Sequence, residues 1–164
     1  MNVKKEESNK IYYKCLSFIS LLVFISDQFT KLWAEKSFQP GEILPIIDNF
    51  FNLTLTYNTG IAFGLFSNLP NIYRILFLVV VTTIALVLLV FFLLKEYEGN
   101  KLGQFALALI VGGAIGNILD RVRLGHVIDF IDFYYNNYHW PAFNIADSAI
   151  CIGCLLYTSD AADE

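Results

Sequence analysis

The apolar positions of this chain fall in long unbroken blocks, not at the spacing of an element with one wet face. The first block runs from about Tyr12 to Trp33. The second, IYRILFLVVVTTIALVLLVFFLL from Ile72 to Leu94, has 23 residues, more than the ~20 an α-helix needs to cross a bilayer. The third runs from Leu102 to about Leu119, and the fourth begins near Asn144. A soluble domain of this length would repeat its apolar residues periodically around a polar surface. The blocks predict instead a mainly α, polytopic membrane protein with four transmembrane helices. KEYEGNK, residues 95–101, reads as a sharp charged turn between the second and third helices.

One stretch has a different rhythm. In FFNLTLTYNTGIAFGLF, Leu53, Leu55 and Tyr57 alternate with Asn52, Thr54, Thr56 and Asn58, the period of two that marks a half-buried strand. Asn58-Thr59-Gly60 ends it. Open lipid would leave the strand's backbone groups unpaired, so it belongs in the interface or against protein. A small extracytoplasmic β-sheet between helices 1 and 2 is therefore expected over the bundle.

Composition agrees with this class. Of 164 residues, 56% are hydrophobic and 16% charged, and the net charge of −4 offers nothing to a nucleic-acid partner. Cys15, Cys151 and Cys154 lie in apolar surroundings and are too few for a disulfide framework. Cys151 and Cys154 form a CxxC, but no second pair or thioredoxin-like context accompanies it. The start, MNVKKEESNKIYYKC followed by LSFISLLVFIS, is similar to a signal peptide without a small-x-small cleavage site, and reads as an uncleaved anchor.

Orientation follows from the basic residues. Lys4, Lys5, Lys10 and Lys14 flank the first helix, and Lys95 and Lys101 flank the second turn. These regions are expected in the cytoplasm, against Lys31, Lys36, Arg74, Arg121 and Arg123 on the other side. Four crossings then put both termini in the cytoplasm and residues 34–71 and 120–143 outside. From Phe143 to Tyr157 there are too few residues to cross a bilayer before SDAADE. Moreover, CLLYTSDAADE (Cys154–Glu164) resembles a translated sequencing adapter and is read as a scar. Residues 1–153 are then expected to form a single four-helix domain, its last helix truncated.

Against this oily background the polar residues carry the candidate chemistry. In FNIADSA, Asn144 precedes Asp147 by three residues at the start of a helix. That is a capping arrangement, with Asp147 at the positive end of the dipole. Asp129 and Asp132 form the echo IDFIDF; on a helix they would share a face, and in an extended chain they would point oppositely. One is then expected to turn inward and the other to meet solvent. Asp120 adjoins Arg121, which explains it by neutralisation at a helix end. Gly112, Gly113, Ala114 and Gly116 suit close helix packing, while Asn117 beside them wants a partner inside the bundle. Asp27 and Lys31 are an i,i+4 pair from which Lys31 can snorkel outward. His126 and His139 lack metal-ligand spacing, and Ser67 and Ser148 lack a recognisable histidine partner. No metal and no cofactor are expected.

Each polar residue alone has a structural explanation, but Asp27, Asn58, Asn117, Arg121, Asp129, Asn144 and Asp147 all map to the outer helix ends or the loops joining them. Polar groups converging at one depth of a membrane are a candidate site. Two carboxylates held close share one proton and titrate as a pair. The ionised member can then activate water while the other donates to a scissile carbonyl. A small transporter or proton-conducting subunit could also use such carboxylates, although no internal repeat is visible and the second helix has no acid. A non-catalytic assembly subunit is a third possibility.

DQFTK at 27–31, YNTGIAFG at 57–64, GGAIGNILDRVRLGHVIDF at 112–130 and FNIADSA at 143–149 together resemble the lipoprotein signal peptidase (signal peptidase II) family of bacterial membrane aspartic peptidases. The resemblance spans residues 12–153. It implies that Asp129 and Asp147 are the catalytic pair and that Asp132 is a solvated echo. It also implies that Asn58, Gly60, Asn117, Arg121 and Asn144 line or order the site, supported by Asp27 and Lys31. The implied activity is removal of signal peptides from prolipoproteins, just before a diacylglyceryl-modified cysteine. The implied setting is the bacterial cytoplasmic membrane, with a monomer, surrounding membrane lipid, and a site toward the extracytoplasmic face.

Overall fold

The computed structural model describes residues 2–60, 70–96 and 101–162. The elements follow the order α1 (Asn2–Ser37), β1 (Ile43–Ile47), β2 (Phe51–Asn58), α2 (Asn71–Glu96), α3 (Lys101–Leu124), β3 (Val127–Tyr135), β4 (Tyr138–His139) and α4 (Ile145–Ala162). Leu16–Ser37, Ile72–Phe91 and Lys101–Leu124 are long and apolar enough to cross a membrane, whereas the apolar part of α4, Ile145–Ser159, is shorter. The four helices expected from the apolar blocks are present, each extending beyond its block into polar flanks. α4 continues without a break past Gly153 to Ala162, and Tyr157 packs with Leu89, Val90 and Val111 around Leu107. Residues 97–100 of the charged turn, 61–64 of YNTGIAFG, and Ser67 lie outside the described residues.

α3 is the central helix, touching α1, α2 and α4, whereas α2 touches α3 alone among the described elements. Nothing in the apolar window of α2 is buried, which leaves its sides to lipid. The glycines of α3 make its central position possible. A Cβ at Gly112 would stand 2.6 Å from the Ser20 carbonyl oxygen on α1, and one at Gly116 would stand 2.5 Å from Asp27 Oδ2. At Gly113 it would run into the Ala146 carbonyl of α4. Small residues thus let α1 and α4 approach α3 from two sides.

The sheet has four antiparallel strands in the order β1-β2-β3-β4. It is therefore not confined to the connection between α1 and α2, as the sequence led us to expect: half of it comes from the connection between α3 and α4. The echo IDFIDF conceals β3 because its repeat of three obscures the strand period of two. An isolated bridge joins Ile131 to Phe143, tying the start of α4 to the sheet. The inner face packs Leu55, Ile128 and Phe130 against Ala34 and Phe38 at the end of α1.

The polar side of β2 also departs from expectation, because Asn52 and Thr54 are buried. β2 is flanked by β1 and β3, so Asn52 sits opposite Asp132 and donates to its Oδ2 at 2.8 Å. Tyr57, expected to face inward, is instead exposed.

Replacing Gly112 by Val should lower stability by about 1–3 kcal/mol through overpacking against α1. Val87→Ala on the exposed side of α2 should stay within about 0.5 kcal/mol of the parent. Thermal unfolding in detergent micelles measures both.

Candidate active site

Asn144 immediately precedes α4 and caps it. Its Oδ1 accepts from the backbone N–H of Asp147 at 2.9 Å, as an N-cap side chain does toward the third helical residue. The Asn144 amide nitrogen is then directed away from the helix, and it donates to Asp129 Oδ1 at 2.7 Å and to the Ile128 carbonyl at 3.2 Å. A single buried amide therefore fixes both the start of α4 and the carboxylate on β3.

Asp129 is 1% exposed. Its Oδ2 accepts from Asn58 Nδ2 at 2.9 Å. In the β2–β3 register Asn58 lies opposite Val127, which makes Asp129 its diagonal neighbour, within side-chain reach. Asn58 Oδ1 accepts from the Gly60 N–H at 2.7 Å. Gly60 has φ +81°, and a Cβ there would meet the end of the Leu78 side chain. The left-handed backbone is what favours glycine here. Asp147, in the first turn of α4, accepts from Asn117 Nδ2 at 2.7 Å.

The two carboxylates are coupled. Burial pushes Asp129 up to about 6, the Asn58 hydrogen bond opposes this, the charge of Asp147 adds to it, and Asn144 and Lys31 pull it back. Arg121 is the cation facing both, interacting most with Asp147, then Asp129, then Asp120. Its Nε is buried with no hydrogen-bond partner among the described residues.

Beneath this pair lies a buried ion cluster. Lys31, 1% exposed, contacts Asp27 Oδ2 at 2.7 Å, Asp120 Oδ2 at 2.8 Å and Asn117 Oδ1 at 2.9 Å. Asp27, fully buried, also accepts from the Ala146 N–H at 2.9 Å, so α1 supplies a second cap to α4.

All nine residues expected at the site, Asp27, Lys31, Asn58, Gly60, Asn117, Arg121, Asp129, Asn144 and Asp147, thus belong to one connected cluster. Three details differ from expectation. Lys31 does not snorkel outward, because two carboxylates and an amide hold it inside. Asp120 pairs with Lys31 instead of simply neutralising Arg121. Asp132 is not solvated: it is 5% exposed, accepts from Asn52 and lies 2.9 Å from His139 Nδ1. Asp129 and Asp132 do point oppositely, but both faces of β3 are covered there. The sequence contained a signal for Asp120, since Gly113, Gly116, Asn117 and Asp120 follow i, i+3, i+4, i+7 spacing and form one helix stripe.

Beside Asp147 a cavity of about 670 Å³ opens between aromatic and helical walls. Phe50, Phe133, Trp140 and Phe143 form one side, and Cys151 and Ile152 of α4 the other. An apolar groove with a carboxylate in its wall suits a ligand that is greasy except at the reacting bond.

The family model for signal peptidase (SPase) II matches residues 19–162. The lipoprotein signal peptidase of Syntrophus aciditrophicus (strain SB) is 48% identical over 139 residues, 85% of this chain and 86% of that protein. The lipoprotein signal peptidase of Janthinobacterium sp. (strain Marseille) is 43% identical over 159 residues, 93% and 94% of the two chains. A bacterial membrane enzyme solved by the in meso method at 2.3 Å resolution aligns with a TM-score of 0.80 at 35% identity, covering 92% of this chain and 88% of its own.

Asn144→Ala removes the cap of α4 and one of the two amide donors to Asp129. It should cost about 1–2 kcal/mol of stability, seen as a lower Tm in micelles.

Proposed function

The chain belongs to the signal peptidase II family, and from that premise we propose that Asp129 and Asp147 are its catalytic pair. It is a membrane peptidase that removes signal peptides from prolipoproteins, which displaces the transporter and assembly-subunit readings. The observation that carries the proposal is the joining of Asp129 and Asp147 through the amides of Asn144 and Asn117.

The chemistry uses a pair that holds one proton. The ionised carboxylate takes a proton from water, and the water oxygen bonds to the scissile carbonyl carbon. The protonated carboxyl gives its proton to the carbonyl oxygen, so a neutral tetrahedral diol forms. On collapse the C–N bond breaks, the leaving nitrogen gains a proton from one aspartate, and the diol returns a proton to the other. The pair regains its starting state. Asn58, Asn117 and Asn144 hold the carboxylates in place. Arg121 supplies a positive charge that faces both carboxylates.

The substrate class follows from the same arrangement. The apolar groove beside Asp147 suits a lipid-anchored segment, consistent with cleavage before a diacylglyceryl-modified cysteine. The enzyme acts as a monomer in the bacterial cytoplasmic membrane among its lipids. All four helices enter the bilayer, both termini face the cytoplasm, and the sheet and site face outward. Support for this orientation comes from the lysines ahead of the first helix. No metal or cofactor enters the scheme.

Asp129→Asn and Asp147→Asn should each reduce prolipoprotein cleavage at least about a hundredfold while abundance in the membrane stays normal. Cleavage at the parental rate by either variant would refute the pair. The reaction needs one proton on the pair, and burial holds Asp129 near 6. Above that pH Asp129 loses its proton, so kcat/KM should fall as pH rises through about 6. A pH profile of cleavage in vesicles checks the sign.

A further inference from the structure

The ion cluster under the active site has a feature that scaffolding alone does not require. Lys31 donates to Asn117 Oδ1 at 2.9 Å, and the same Asn117 donates through Nδ2 to Asp147 at 2.7 Å. An amide has one accepting and one donating end, so a cation fixed at its oxygen dictates where its N–H groups point. Without that cation, a rotated Asn117 would present its oxygen to the Asp147 carboxylate. Asn144 Nδ2 also reaches Asn117 Oδ1 at 3.3 Å while donating to Asp129 at 2.7 Å. The orientation of one amide thus bears on both carboxylates.

We propose that Lys31, held in place by Asp27 and Asp120, is a positioning residue for the aspartate pair, acting by locking the Asn117 amide with its N–H toward Asp147. The proposal rests on the assignment of Asp129 and Asp147 as the catalytic pair. It gives Asp120 a part: with Asp27 it brackets the ammonium, at 2.8 and 2.7 Å, so that Lys31 cannot turn outward as a membrane lysine otherwise does. Gln28 helps to hold that bracket by donating to Asp120 Oδ1 at 3.0 Å and to Asp27 Oδ2 at 3.2 Å. None of these residues lines the groove beside Asp147, so the effect belongs to turnover and not to binding.

The charges facing Asp129 are Asp147 from α4, Lys31 from α1 and Arg121 from α3, while β2 offers the neutral Asn58. Lys31 lowers the carboxyl of Asp129. Removing it should therefore move the alkaline limb of the cleavage profile to higher pH.

The test is the double variant Lys31→Met with Asp120→Asn. It deletes one buried positive and one buried negative charge together, a change that buried ion pairs tolerate, and leaves Asp27 to cap Ala146. Assayed in vesicles on a diacylated prolipoprotein, it should keep parental abundance and KM, lose about tenfold to a hundredfold in kcat, and show the alkaline limb displaced upward. Parental kcat with an unmoved limb would overturn the proposal and leave the ion cluster as scaffold. If the double variant does not insert, Asn117→Asp decides: it keeps an oxygen for Lys31 but has no N–H for Asp147. Loss of kcat with the upward limb shift supports the lock, and parental turnover overturns it. Inactive Asp129→Asn and Asp147→Asn variants beside a fully active double variant would reject only the lock. Active aspartate variants would reject the catalytic pair itself.

Discussion

A lysine ammonium held between α1 and α3, and linked through Asp27 to the start of α4, is the interaction on which this structure turns. Taking a charge out of water costs several kcal/mol even after relaxation. Lys31 offsets that cost with two carboxylates and an amide oxygen, all within 2.9 Å. The two acids that meet it, Asp27 and Asp120, are buried as well. Asp27 reaches further, to the backbone of α4 at Ala146. Three helices are thereby fixed in rotation and depth at the level where the carboxylates sit.

The second constraint is the start of α4. Its first turn would leave backbone N–H groups without partners, and Asn144 and Asp27 supply two of them from different parts of the chain. Because Phe143 is bridged to Ile131 on β3, the cap is also attached to the sheet. Asp129 in the sheet and Asp147 in the helix are therefore held by a common joint. The glycines of α3 are the negative image of this joint, since side chains at Gly113 and Gly116 would occupy the space taken by Ala146 and Asp27.

Much of this was legible in the chain. The helices were visible because each carries an apolar run, three of them long enough to cross a bilayer, and β2 because its leucines alternate with polar residues. Asn144 and Asp147 were readable as a cap because capping is local, acting over three residues. β3 is not legible in the chain because IDFIDF hides its alternation. The burial of Asp132 is not legible because its partners, Asn52 and His139, come from two other strands. The fate of Lys31 is hidden for the same reason: a snorkelling lysine and a buried one look identical until Asp120 arrives from another helix.

By itself, the sequence determined the class of protein, the apolar runs of its helices and the local cap, since each depends on composition or on neighbours a turn apart. The tertiary structure alone decided which acids are buried, which cation each one meets and which way each amide points. Those outcomes depend on desolvation and on contacts between residues as many as 119 positions apart, as in the bond from Ala146 to Asp27. No local pattern encodes such a contact, because the energy that selects it exists only once the helices have closed and water has left.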